Sequence, residues 1–103
     1  MLIQEIYKLA INKGIEVDFR GKNGIEKILR ERREKYEKLS EKEREFFDLE
    51  TLENPYSDTR IHNIAEDKQI KKILVGIDVG PDEILLAKEL GGIDLVIGHH
   101  PIG

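Results

Sequence analysis

Apolar residues recur every three or four positions through the first half of the chain, then gather into two short unbroken runs near its end. The first pattern predicts helices and the second predicts buried strands. Leu2, Ile6 and Leu9 form one row, with Ile3, Tyr7 and Ala10 beside it. A first helix is therefore expected over residues 2–13, with Gly14 ending it in the C′ position. Residues 15–19 alternate and read as a short extended segment, and Arg20-Gly21-Lys22 reads as loop. Asn23 and Glu26 have the spacing of a capping box, so a second helix is expected over residues 24–39. Its apolar row is Ile25, Ile28, Leu29, Tyr36 and Leu39, interrupted by Arg32 in a wet or snorkelling turn. Ser40 and Glu43 repeat the capping spacing. They predict a third helix over residues 41–48, with Phe46, Phe47 and Leu49 turned inward, and the last two helices forming a hairpin.

The chain is organised around its end. Ile73-Leu74-Val75-Gly76-Ile77-Asp78 is one apolar run and Ile93-Asp94-Leu95-Val96-Ile97-Gly98 is the other. Continuous apolar runs fit parallel strands covered on both faces. Between them Gly80 serves as N-cap, Pro81 as first helical residue, and Asp82 and Glu83 face the positive end of the helix dipole. Gly91 and Gly92 then stop the helix. The expected fold class is α/β: an N-terminal helical hairpin followed by a right-handed βαβ unit. Asn54-Pro55-Tyr56-Ser57-Asp58 is turn chemistry and marks the expected boundary, with residues 1–53 helical and residues 54–103 forming the βαβ part. Residues 60–64 are expected as a short extra strand near the first run, with residues 65–69 as its connection.

Ligands of βαβ units bind beyond the carboxyl ends of the strands, and the polar clusters lie there. Asp78 ends the first run, and His99 and His100 follow the second. Adjacent strand residues point to opposite faces, so two imidazoles serving one site require the chain to leave the sheet there. Pro101 favours such a departure by pushing His100 towards extended geometry. Two imidazoles fanned from one loop suit the two ions of a dinuclear centre, roughly 3.5–4 Å apart. The bland alternative is a pair of surface histidines. Asp78 is weighed between a residue that caps its own loop and one that orients a ligating histidine.

Residues 73–103 resemble the Nif-three-like family (NGG-one-interacting-factor-three), also called GTP cyclohydrolase type-two homologues. The resemblance rests on Gly76-Ile77-Asp78-Val79, on Pro81-Asp82-Glu83, and on Asp94-Leu95-Val96-Ile97-Gly98-His99-His100-Pro101. It implies a site of two divalent metal ions with His99 and His100 as ligands, an α/β fold, and ring-like homo-oligomers. It also implies that the remaining ligands, an acidic residue and a His and Glu pair, come from sequence after the His-His-Pro. The site within these 103 residues is then expected to be incomplete.

Composition narrows the rest. Seventeen basic and 21 acidic residues give a net charge of −4, which argues against a broad nucleic-acid footprint. The basic residues Arg30, Arg32, Arg33 and Lys35 interleave with Glu31, Glu34 and Glu37, as on a solvated helix face. Without cysteine there is no disulfide framework and no thiolate metal site. No membrane span or secretory leader is visible, so a cytoplasmic address is expected. The Glu, Lys and Ile richness points towards a thermophile source. No nucleophile elbow, dinucleotide fingerprint or phosphate loop occurs. Arg60 is weighed between a phosphate or carboxylate ligand and a surface salt bridge, and His62 is read as structural. Two functions follow. One is a metal-dependent hydrolase-like protein acting on a phosphorylated or nucleotide-like substrate. The other is a non-catalytic interaction module whose open sheet edges favour self-pairing.

Overall fold

The computed structural model describes residues 1–64 and 67–101. Its elements are α1 (Ile3–Val17), α2 (Gly21–Glu37), α3 (Glu41–Arg44), a 3-10 turn (Leu49–Leu52), β1 (Ile73–Val79), α4 (Pro81–Leu90) and β2 (Leu95–Pro101). Helix and strand are mixed, and the sheet is a parallel pair, so the chain is of the α/β kind. Two compact units form, one of Tyr7–Asn63 and one of Met1–Ile6 with Ile64–Gly103. The cut expected before residue 54 falls inside the first of these.

In the Tyr7–Asn63 unit, α2 carries the stripe that its sequence predicts. Ile25 is buried, and Ile28, Leu29, Arg32, Tyr36 and Leu39 are half-buried. Its start differs from the expectation. The Asp18 carboxylate accepts from the Arg20 N–H at 3.0 Å and holds the Arg20 guanidinium at 3.0 and 2.8 Å. That turn delivers the chain into a helix at Gly21, whose φ is +75°, so the Asn23–Glu26 spacing is not used as a cap. Arg32 is not a wet interruption. Its guanidinium donates to the carbonyls of Thr51 and Asn54 at 3.0 Å and of Pro55 at 3.4 Å, anchoring the turn onto α2.

α1 runs past Gly14 to Val17, so residues 15–17 are helical and not extended. The glycine is there for a neighbour: a Cβ on it would meet Tyr56 Cε2 at 3.0 Å. Ile11, outside the expected row, is the buried residue of α1, and Leu9 is exposed. α3 keeps the capping box of Ser40 and Glu43, with reciprocal bonds of 3.2 and 3.1 Å, but stops after one turn. Phe47 turns in against the Tyr36 ring with centroids 4.9 Å apart. Phe46 is 85 % exposed and Leu49 is also exposed, so neither is the core residue expected.

In the other unit, β1 and β2 pair in parallel, from Ile73 beside Leu95 to Val79 beside Pro101. Asp94 fastens their starts. Its carboxylate accepts from the N–H groups of Lys71 and Lys72 at 2.9 and 3.0 Å, and its own N–H donates to the Lys72 carbonyl at 2.8 Å. α4 begins as its sequence predicts: Pro81 is the first residue after the Gly80 cap, and Glu83 accepts from the Gly80 N–H at 2.9 Å. It ends at Gly91, and both Gly91 and Gly92 have φ near +70°. α4 packs on β1. Leu74, Gly76, Val96 and Gly98 are half-covered, whereas Ile73, Val75 and Ile77 stand exposed on the opposite face. Residues 60–64 form no strand, and the connection expected over residues 65–69 begins with two that lie outside the described residues.

Candidate functional site at the carboxyl ends of the strands

Asp78, His99 and His100 all come to the same end of the β1–β2 pair. Asp78 is the register partner of His100, and partners in a parallel pair share a face. The sequence expectation ended the second strand at Gly98, with the chain leaving the sheet at the histidines. The structure corrects this: β2 runs through both histidines to Pro101, which lies beside Val79. Val79, at the end of β1, is buried.

The two imidazoles nevertheless come together. Their centroids are 4.4 Å apart, with the planes tilted by 55°. A regular pleat would send them to opposite faces. Pairing runs from Ile73–Leu95 to Gly76–Gly98 and continues in the same register at Asp78–His100 and Val79–Pro101, so both histidines stay within β2. Neighbouring histidines in one strand thus bring their rings side by side without leaving the sheet.

All three side chains are exposed. Among the described residues, neither imidazole nor the Asp78 carboxylate takes part in a hydrogen bond or ion pair. The donor set suits a borderline divalent ion such as zinc, nickel or iron. It is a partial set: among the described residues no three His, Cys, Asp or Glu side chains gather to hold an ion. A closed zinc site needs four ligands, and a catalytic one usually three from the protein. Two imidazoles therefore make half of a coordination sphere.

A second polar cluster, in the Tyr7–Asn63 unit, was not foreseen. Asn54 is 2 % exposed, and its amide donates to the Tyr7 hydroxyl at 2.9 Å and to the Thr59 carbonyl at 2.7 Å. Its carbonyl oxygen accepts from the Tyr56 N–H at 2.8 Å. Tyr7 donates in turn to Glu50, an interaction across 43 residues of sequence. That bond, more than any other contact, holds the Glu50 carboxyl below its usual range, while burial and then Glu50 raise the Tyr7 phenol. A shallow depression of about 260 Å³ opens beside these groups, lined by Tyr7, Lys8, Ile11, Asn12, Glu50, Glu53 and Asn54. Arg60, weighed as an anion ligand, pairs with Asp48 at 2.8 Å and Glu50 at 3.3 Å. The cluster satisfies itself, which is the behaviour of a structural network. The sequence signal was the Asn-Pro turn; the partners, far away in the chain, were not legible.

Among the described residues, no helix is long and apolar enough to cross a membrane. No family model, curated protein or solved structure matches the chain.

Proposed function

We propose that the chain supplies a two-imidazole edge to a divalent-metal centre of the Nif-three-like kind, serving hydrolysis of a phosphorylated or nucleotide-like substrate. The observation that carries this reading is the 4.4 Å approach of the His99 and His100 rings at the carboxyl ends of parallel strands. His99 and His100 would each present a neutral ring nitrogen to metal. Asp78, on the face of His100, would accept the remaining ring N–H and fix the tautomer. The metal, when bound, polarises a substrate oxygen and supplies hydroxide near neutral pH. The missing donors would come from the later sequence that the resemblance implies or from another copy of the chain.

Metal uptake by equilibrium dialysis, read by mass spectrometry, tests the proposal on wild type and on a His99→Ala/His100→Ala variant. Tight uptake lost in the variant supports it. Equal, loose uptake by both sinks it.

A second reading is an interaction module without metal. It is favoured by the exposed apolar row of β1, where Val75 is 69 % and Ile77 71 % exposed.

A further inference from the structure

The tip of β2 holds two ring centres 4.4 Å apart, those of His99 and His100. Both residues are exposed, and among the described residues neither imidazole takes part in a hydrogen bond or ion pair. Zn–N bonds of about 2 Å at a tetrahedral angle set the centres of two ligating imidazoles about 5 Å apart. The observed spacing is near that value, so both rings can reach one ion after a small rotation. One chain then fills half of the four positions that a closed zinc site requires. Asp78 is not the third ligand, since among the described residues no three His, Cys, Asp or Glu side chains gather.

We propose that the other half of the site is His99 and His100 of a second copy, with one ion on a two-fold axis between the two strand tips. A two-fold axis repeats the same patch on both partners, so a single chelating pair becomes a complete set of four donors. Charge points to the same occupant. Imidazoles ligate as neutral groups, and four of them leave the double positive charge of the ion uncompensated. Each copy also brings one Asp78, the register partner of its His100. Two carboxylates behind the ligating histidines balance that charge. The tip has room for a partner, because among the described residues the sheet has no third strand beside β2.

This bridge rests on the metal reading proposed above and names another copy of the chain as the source of the missing donors. It ties assembly to zinc supply in both directions. At one ion per two chains the bridge is complete. In large excess each chain takes an ion of its own, and mass action takes the dimer apart.

Sedimentation equilibrium of the full chain across a zinc titration tests it, with bound metal counted by mass spectrometry after dialysis. A monomer is expected in chelator, a dimer at one zinc per two chains, and a return to monomer in large excess. His99→Ala and His100→Ala should each abolish the zinc-dependent dimer. If either variant loses strand signal in circular dichroism, the wild-type titration decides alone. No zinc uptake by wild type overturns both the bridge and the metal reading. Tight uptake by a chain that stays monomeric throughout overturns the bridge and leaves the metal reading standing. A dimer that persists in chelator, that is undiminished in large excess, or that survives loss of either imidazole in a folded chain also overturns the bridge.

Discussion

The Tyr56 ring occupies the space beside Gly14 so closely that a Cβ there would sit 3.0 Å from its Cε2 atom. Replacing a mid-helix glycine by alanine normally gains about 0.5–1 kcal/mol. Here the ring cannot easily retreat, because its hydroxyl donates to Asp18 at 2.9 Å. Overpacking costs about 1–3 kcal/mol and should win. Gly14→Ala is expected to lower the urea midpoint, and Gly14→Ala/Tyr56→Ala should recover part of the helix gain.

Asn54 should be the least replaceable polar residue of its unit. Truncation to alanine strands the Tyr56 N–H and the Thr59 carbonyl, each partnered by the amide at present. A buried polar group left unpaired costs about 1–3 kcal/mol. Asn54→Ala is expected to destabilise by at least that amount in chemical denaturation. Asn54→Asp keeps the acceptor but loses the two donors, and it should fare no better beside Glu50.

Acid and alkali should each weaken the same unit through different groups. Asp18 is held well below the usual carboxylate range, first by the Arg20 guanidinium, then by the Arg20 N–H, with Tyr56 contributing less. Glu50 is held down chiefly by Tyr7. A lowered carboxyl stabilises the fold above its unfolded value, about 4, and that gain disappears as pH falls through the folded value. Tyr7 and Tyr56 are raised, in both cases first by burial. Their contribution is present below about pH 10 and is lost as pH climbs beyond it. Denaturation midpoints should therefore be level from about pH 5 to 9 and fall on both sides. Asp18→Asn should flatten the acid limb.

Asp94 should control whether the two strands stay together at their starts. It accepts from the N–H groups of Lys71 and Lys72, which also hold its carboxyl below the ordinary range. Asp94→Ala is expected to speed amide exchange at the first rungs, Ile73 and Leu74 with Leu95 and Val96, more than in α4. Exchange unchanged at those rungs would count against the role.

What the sequence made legible was local. Gly80, Pro81 and Glu83 lie within one turn of each other, and their signals require no distant partner. The apolar runs announced parallel strands, but the cover on both faces that such runs lead one to expect is not met among the described residues, since Ile73, Val75 and Ile77 stand exposed. Gly14 misled because a helix stop and a close ring approach demand the same residue. Asn23 misled because an aspartate five residues earlier had already turned the chain. The convergence of His99 and His100 was expected through an exit from the sheet, and the rings come together with both residues still in β2. The bond from Tyr7 to Glu50 spans 43 residues, and no spacing rule reaches that far.

Each rung of the β1–β2 ladder joins residues 22 positions apart, the same separation at which Asp94 grips Lys72. The entropy of closing a loop grows only slowly with its length and is charged when the ends first meet. Once the aspartate has caught those amides, later rungs close no new loop and can zip in turn. Assembly of this pair should thus be slow to start and quick to finish, with its kinetic barrier at the aspartate end and the histidines arriving last.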